Sequence, residues 1–206
     1  SINLHKFTKK NNLNYVRFDC RGHGKSFGKF EEFTITDWKN DLINVIDNLT
    51  KGPIILVGSS MGGWLMFLAA KARSKRIIGL IGLAAAVDFG NDLFKNLTKK
   101  NKNELNKNKI TQYKSYGFSY PLTKKFFIEA NKNNILTKTF KFSKPIILIH
   151  GMKDKVVNIE MPKKILNSIK SDNSQIIYLQ SSDHRLSKKE DLVIINSAIN
   201  NILLLV

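Results

Sequence analysis

Residues 54–70 read IILVGSSMGGWLMFLAA, and this stretch decides the fold. An aliphatic run is followed by the pattern G-x-S-x-G at residues 58–62 and then by a longer apolar run that opens with Trp64. This order predicts a buried strand, a turn that its glycines allow to be sharp, and a helix. In that setting the motif presents Ser60 as an exposed nucleophile, whereas Ser59 lies one position too early. The alternative is a glycine-rich turn whose serine has no catalytic role. The buried strand before the motif and the helix after it make this alternative less favoured.

Further apolar runs of strand length recur along the chain, with helix-length segments between them. The predicted strands are Tyr15–Asp19, Ile54–Gly58, Ile77–Leu83, Pro145–His150 and Gln175–Leu179. The predicted helices are Ile2–Lys10, a helix capped by Thr36 and Asp37 with an apolar face of Trp38, Leu42, Val45, Ile46 and Leu49, one around Ile165 and Ile169, and Leu192–Leu205. Continuous apolar strands are typical of a parallel sheet buried on both faces. The sequence therefore predicts an α/β fold, with a mostly parallel, doubly wound sheet in a single domain over residues 1–206.

Residues 88–143 interrupt this alternation, because they separate two strands by far more than a normal crossover needs. The lysines and aromatic residues of this insertion include Lys95, Lys99, Lys100, Lys102, Lys107, Lys109, Tyr113, Tyr116, Phe118, Tyr120, Phe126 and Phe127. One interpretation is a helical excursion with a solvated basic face. The interpretation that we favour is a lid within the domain, whose aromatic residues cover an apolar acyl pocket.

A serine nucleophile needs a base and an acid, and a strand–elbow–helix fold of this kind orders them as serine, acid, histidine. Asp154 follows the predicted strand Pro145–His150, and His184 follows the next strand. Both residues therefore lie beyond the carboxyl ends of their strands, where doubly wound sheets place their sites. We predict that Asp154 is the acid and that His184 is the base.

Other residues of the same types are weaker candidates. His23, in a glycine loop, is the strongest alternative base, whereas His150 ends a strand and is expected to pack, and His5 lies near the terminus. Asp88, which follows the preceding strand, is the second choice for the acid. Asp183 is disfavoured because it would have to fold back on the adjacent histidine.

Composition and charge limit the classes of protein and of partner. The 206 residues carry a net charge of +18, with 29 lysines but only 5 arginines, and with 22 asparagines and 24 isoleucines. Lys, Asn and Ile are all encoded by AT-rich codons, so a bias in base composition explains the excess of lysine without a binding partner. Recognition of phosphates and bases relies more on arginine, so we expect no nucleic-acid partner.

The sequence also indicates the compartment of the protein and which cofactors it needs. The longest apolar run, Ile77–Val87, has 11 residues, where a membrane span needs about twenty. The single cysteine, Cys20, and an N-terminus without a signal-like pattern predict a cytoplasmic protein in a reducing compartment. No spacing of histidines or cysteines suits a metal, so we expect neither a metal nor a cofactor.

Short motifs along residues 12–203 resemble those of the α/β-hydrolase superfamily. They are Arg17-Phe18-Asp19 with Gly22 and Gly24, Phe30-Glu31-Glu32-Phe33-Thr34, Asp37-Trp38-Lys39, Gly52-Pro53, the string from Val57 to Met66, His150-Gly151-Met152-Lys153-Asp154 and Ser182-Asp183-His184-Arg185. More narrowly, the chain is similar to the mitochondrial and alphaproteobacterial acyl-protein thioesterases that also cleave acyl glucuronides. The resemblance implies a triad of Ser60, Asp154 and His184 that hydrolyses an acyl ester or thioester through an acyl-enzyme.

The N-terminal region departs from that family's pattern. In the family's fold, a strand and loop before the first helix supply a second oxyanion N–H, whereas this chain begins almost at that helix. We therefore expect strands one to three to be missing and the Met61 N–H to be the remaining oxyanion donor. Losing one donor costs about 10²–10³ in turnover. We also expect a gap or a changed pairing between the strands at Tyr15 and Ile54, with an unpaired edge that favours association.

The predicted function is that of a serine hydrolase acting on carboxylic esters or thioesters. Acyl-protein, acyl-CoA and small carboxyl esters all remain open as substrates, and amides come last because their leaving groups are harder to expel. The alternative function is that of an N-terminally truncated remnant, weakly active or inactive, which needs a missing segment or serves only as a binding module.

Overall fold

The computed structural model describes residues 2–115, 118–171 and 173–205. Tyr116, one of the aromatic residues of the predicted lid, lies outside these ranges, and the side chain of Phe118 is not among those described. The helices are α1 (Ile2–Lys10), α2 (Ile35–Leu49), α3 (Met61–Ala72), α4 (Phe89–Asn96), α5 (Lys99–Asn108), α6 (Lys124–Lys132), α7 (Met161–Ser168) and α8 (Lys189–Leu205), with a 3₁₀ turn at Phe30–Glu32. The strands are β1 (Ile54–Ser59), β2 (Ile77–Leu83), β3 (Ile110–Ser115), β4 (Phe118–Thr123), β5 (Phe140–Lys141), β6 (Ile146–Gly151), β7 (Ile169–Lys170) and β8 (Ser174–Leu179).

A parallel sheet of strand order β1-β2-β6-β8 forms the centre of the fold. Its register pairs Ser59 with Leu83 and Gly151 with Leu179, so the carboxyl ends of these strands lie along one edge. The segments that follow β1, β6 and β8 therefore leave the sheet side by side. Those three segments carry Ser60, Asp154 and His184.

Alternation along the strands builds a core on each face of the sheet. In β2, Leu80 belongs to the core that α2, α3 and α7 cover, and Ile81 belongs to the core against α1 and α8. Both residues are fully buried, as the continuous apolar pattern predicts for a parallel strand. Helices thus cover both faces, and the predicted doubly wound α/β sheet is confirmed.

Helix α2 begins two residues earlier than the sequence predicts. The Thr34 N–H and hydroxyl both donate to Asp37 Oδ2, at 2.9 and 2.7 Å, and form a capping interaction. Thr34, rather than Thr36, is therefore the N-cap. At the other end, Leu49 is 68% exposed and does not belong to the buried face that its spacing predicts.

The predicted strand at Tyr15–Asp19 is wrong. Residues 13–20 form an irregular segment that pairs with none of the described strands, and Val16 and Phe18 are 49% and 39% exposed. Strand propensity is satisfied only when a neighbouring ladder takes up the backbone hydrogen bonds. Among the described strands, β1 is bonded on one edge only, to β2.

The insertion at residues 88–143 mixes helices with a hairpin that the sequence did not predict. It holds α4 and α5, then the antiparallel pair β3–β4, then α6. Its end is tied to the rest of the domain, because Trp64 Nε1 donates to the Asn133 carbonyl at 3.0 Å and Thr36 Oγ1 donates to Glu129 Oε2 at 2.6 Å. In the part of the chain that the structure describes, no helix has the length and apolar character needed to cross a membrane.

Candidate active site

Ser60 occupies a strained turn between β1 and α3. Its φ and ψ are 51° and −121°, a conformation that L residues rarely adopt and that costs on the order of 1–3 kcal/mol. Three backbone hydrogen bonds hold it there: the Ser60 N–H donates to Leu83 O at 2.9 Å, and the Ser60 carbonyl accepts from Gly63 N at 2.9 Å and Ala86 N at 3.0 Å. The surrounding chain therefore fixes the serine in this turn, as the strand–elbow–helix pattern predicts.

The glycines of the elbow act through close contacts and not through left-handed conformations. A Cβ on Gly58 would lie 2.4 Å from the Gly62 carbonyl oxygen, and a Cβ on Gly63 would lie 2.5 Å from Ala85 Cβ. A Cβ on Gly62 meets nothing within 4 Å. The positive φ lies on Ser60 itself, so the glycines leave room for the turn and the strained conformation falls on the serine, as the sequence predicts.

The structure brings Ser60, His184 and Asp154 into one hydrogen-bonded line. His184 Nε2 lies 3.1 Å from Ser60 Oγ, and His184 Nδ1 lies 2.8 Å from Asp154 Oδ2. A carboxylate can only accept, so Nδ1 carries the proton and Nε2 is left to accept from the serine hydroxyl. The Asp154 side chain is 1% exposed, and its Oδ1 accepts from the N–H groups of Val156 and Val157 at 2.7 and 3.0 Å.

The loop that carries His184 is fixed by a buried carboxylate in the first turn of α8. Asp191 accepts from Ser182 Oγ at 2.5 Å and from the Lys188 N–H at 3.0 Å. Ser182 and Asp191 are both buried. Because Ser182 lies two residues before His184, these bonds hold the imidazole near its partners.

The alternative acids lie elsewhere. The Asp88 carboxylate accepts the N–H groups of Ile135 and Leu136 at 2.8–3.0 Å and so closes the base of the insertion. Burial raises the pKa of this carboxyl. Asp183 is exposed and accepts from the Arg185 N–H. Asp154 is thus the candidate acid that the structure places against His184.

The alternative histidines also have other partners. His23 Nδ1 lies 3.2 Å from the Arg21 carbonyl, and the ring packs edge-on against Phe30 and Trp38. His150 is fully buried, in agreement with its predicted packing, and its Nε2 lies 3.2 Å from the Val157 carbonyl.

Met61 opens α3 directly after the serine. As the first residue of the helix, it has an N–H without an intrahelical acceptor, and the helix N-terminus favours developing negative charge. This is the geometry expected of an oxyanion donor.

A cavity of about 830 Å³ opens beside Ser60. Aromatic and aliphatic residues from the insertion line one part of it: Phe89, Leu93, Tyr113, Tyr120, Leu122 and Phe126. The segment after Asp154 lines another, through Val156, Val157, Asn158 and Met161, and His23 and Phe30 line a third part. The polar side chains of Asp92, Lys95, Asn96 and Lys155 also border the cavity. This volume and a largely apolar lining with a few polar groups are typical of a small-molecule site.

Some of the residues that line the cavity were predicted from the sequence and others were not. Of the aromatic residues named from sequence, Tyr113, Tyr120 and Phe126 line the cavity, whereas Phe127 is buried against Phe94 and Phe126. Met161 was missed, although its closeness in sequence to Asp154 was an available signal. Lysines 99, 100, 107 and 109 are exposed, as a solvated basic face requires. No group of three or more metal-ligating side chains occurs within residues 2–115, 118–171 and 173–205.

A helix-covered parallel sheet with a serine elbow at its carboxyl edge defines the α/β-hydrolase class. Residues 3–119 match the family model described as serine aminopeptidase, S33. The bovine mitochondrial palmitoyl-protein thioesterase ABHD10 is 33% identical over 210 residues, covering 98% of this chain and 67% of the relative. The human protein of the same name is 33% identical over 207 residues, with the same coverage.

Solved structures agree with this assignment. Mouse α/β-hydrolase domain-containing protein 10 superposes with a TM-score of 0.89 at 30% identity, covering 98% of this chain and 82% of the other. A putative hydrolase from Agrobacterium vitis S4 gives a TM-score of 0.92 at 26% identity, covering 98% and 80%. The chain therefore belongs to the α/β-hydrolase superfamily, in the family that contains the ABHD10 thioesterases, and the resemblance drawn from its motifs is confirmed.

The predicted cytoplasmic location is wrong. The ABHD10 relatives at 33% identity are named as mitochondrial proteins. A single cysteine and an unremarkable N-terminus do not distinguish the two compartments, and this is why composition misled the prediction.

Proposed function

We propose that this protein is a serine hydrolase that cleaves acyl thioesters and carboxylic esters through an acyl-enzyme. The observation that carries the proposal is the line of contacts from Ser60 Oγ through the His184 ring to the buried carboxylate of Asp154. Its 3.1 and 2.8 Å distances lie within the reach that general-base catalysis requires.

Each group has a defined part in the reaction. Ser60 Oγ attacks the acyl carbon as His184 Nε2 takes its proton, and Asp154 orients the resulting imidazolium. The Met61 N–H donates to the oxyanion. Collapse of the tetrahedral intermediate formed by this attack expels the thiol or alcohol, which receives the proton from His184. Water, deprotonated by the same nitrogen, then attacks the acyl-serine. As the bond between the acyl carbon and Ser60 Oγ breaks, His184 returns the proton to Oγ and the carboxylic acid is released.

The lining of the cavity favours an apolar acyl group. The insertion at residues 88–143 acts as a lid in this proposal, because its aromatic side chains form the wall beside Ser60. The relatives' name, palmitoyl-protein thioesterase, supports a long-chain thioester as the substrate to test first. Acyl-protein and small-molecule thioesters are the two forms of that substrate.

Fluorophosphonate labelling tests the proposal on the purified chain. We expect a single adduct by intact mass, which Ser60→Ala abolishes. Ser59→Ala is the matched control, since Ser59 lies in the same turn, is exposed and contacts neither His184 nor Asp154 in the described hydrogen-bond network. No adduct on a folded chain overturns the proposal and favours a non-catalytic remnant.

Hydrolysis of matched substrates tests the specificity. We expect kcat/KM for a palmitoyl thioester to exceed that for the corresponding amide by orders of magnitude, because a thiolate leaves more readily. A chain that prefers aminoacyl amides would overturn the thioesterase assignment and favour the peptidase activity that the family description names.

A further inference from the structure

A second histidine lies against the acid of the triad. His150 is on β6, four residues before Asp154, and is fully buried. Its Nε2 is 3.2 Å from the Val157 carbonyl oxygen and 3.4 Å from Asp154 Oδ2. Both neighbours can only accept a hydrogen bond, so Nε2 carries a proton directed at this pair of oxygens.

The other ring nitrogen supports this tautomer. His150 Nδ1 is buried and has no hydrogen-bond partner within the described part of the chain. A proton placed there would be a buried donor without an acceptor, which is costly. The tautomer with the proton on Nε2 avoids that cost and gives the ring its partners on the Asp154 side.

The remaining contacts of Asp154 show what His150 adds. Oδ1 accepts from the N–H groups of Val156 and Val157, and Oδ2 accepts from His184 Nδ1. The His150 N–H bonds to the Val157 carbonyl and lies beside Oδ2. It therefore joins the carboxylate to the turn that the carboxylate itself organises.

We propose that His150 is a positioning residue that holds Asp154 in the orientation that His184 requires. This inference rests on the proposed function. His150 does not line the cavity, so it acts through Asp154 and not on the substrate. Loss of its N–H loosens the carboxylate and misorients the His184 ring, which lowers kcat and leaves KM nearly unchanged.

Two polar substitutions separate the N–H from the bulk of the ring. In His150→Gln, the side-chain amide reaches the place of Nε2 and restores a donor toward Asp154. In His150→Asn, the amide reaches only the place of Nδ1. We expect the fluorophosphonate labelling rate and kcat to stay within about threefold of wild type for His150→Gln and to fall at least tenfold for His150→Asn, with thermal unfolding measured for both.

A double-mutant cycle distinguishes positioning from a general structural role. His150→Asn should reduce the labelling rate in the wild-type background but cause no further loss in an Asp154→Asn background, because its effect passes through the carboxylate. An equal loss in both backgrounds, or equal rates for His150→Gln and His150→Asn, overturns this inference alone. A wild-type chain that takes no label at Ser60 overturns the proposed function, and this inference with it.

Discussion

Gly151 and Ser182 are in direct backbone contact, and a Cβ on Gly151 would lie 2.3 Å from the Ser182 carbonyl oxygen. The same carbonyl accepts from the Lys153 N–H at 2.9 Å. The contact joins the segment after β6, which carries Asp154, to the segment after β8, which carries His184. The 2.8 Å contact between the Asp154 and His184 side chains joins the same two segments.

Gly151→Ala should therefore separate the proposed acid and base. The methyl group cannot be accommodated without moving one backbone away from the other, so we expect the labelling rate at Ser60 to fall at least tenfold and the thermal midpoint to drop. Met152→Ala is the control, because Met152 is adjacent and 50% exposed. Labelling of Gly151→Ala at the wild-type rate would contradict the coupling of the two segments.

The two glycines that follow Ser60 should differ sharply in how well they tolerate replacement by alanine. Gly62→Ala has open space and lies in a helix, where alanine is favoured over glycine by up to about 1 kcal/mol. Gly63→Ala places a methyl group against Ala85 and should cost about 1–3 kcal/mol as an overpacked site. Urea unfolding of both variants measures the difference. Similar losses in the two would show that the motif's glycines are needed for conformation and not for space.

The sequence predicted the parts of the fold that local pattern determines. The strands at Ile54, Ile77, Pro145 and Gln175 follow from apolar runs of strand length, and the helix at Ile2–Lys10 follows from the family resemblance. The prediction of a strand at Tyr15–Asp19 failed because a strand needs a neighbouring strand to pair with. The β propensity of a segment does not indicate whether such a neighbour is present. The hairpin β3–β4 was missed because its aromatic residues were interpreted as the lining of a lid and not as parts of two strands.

The three central residues of the candidate site could also be predicted from the sequence. Ser60, Asp154 and His184 each directly follow or lie close behind a strand end, so chain order and sheet topology bring them together. The contact of His150 with Asp154 was not predictable, since a histidine at a strand end looks like a packed residue. Its role depends on a ring orientation that only three-dimensional packing specifies.

Ionisation of Asp88 should make the free energy of unfolding depend on pH. Burial raises the pKa of this carboxyl, so the folded state holds its proton more tightly than the unfolded state. Its contribution to the free energy of unfolding is therefore greatest at acidic pH and declines as pH rises through the raised pKa. Relative to Asp88→Asn, which cannot ionise, wild type should lose stability between acidic and neutral pH. Urea unfolding across that range measures this, and a constant difference would contradict it.

Asp88→Ala tests the anchoring itself. Alanine leaves the Ile135 and Leu136 N–H groups without their acceptor, and the expected loss is about 2–4 kcal/mol. The left-handed backbone at residue 88, with φ of 53°, adds to the loss for alanine but is tolerated by asparagine. Asp88→Asn should therefore be the milder change, and limited proteolysis within residues 89–132 should detect the released insertion in Asp88→Ala. Equal stability of the two variants would contradict the anchoring role.

Cys20 should be protected from alkylation until the protein unfolds. Burial, followed by the charges of Asp41 and Asp19, raises the pKa of the Cys20 thiol to about 12. At about pH 8 the thiolate is then scarcer by about 1000-fold than for a thiol of pKa 9.0, and the thiolate is the form that attacks iodoacetamide and displaces iodide. Intact mass should show slow modification of the folded chain and rapid modification in guanidinium chloride. Rapid alkylation of the folded chain would show that the loop around Cys20 opens readily. That outcome would also weaken the case for a fixed wall at His23, because His23 N–H donates to the Cys20 carbonyl at 2.9 Å.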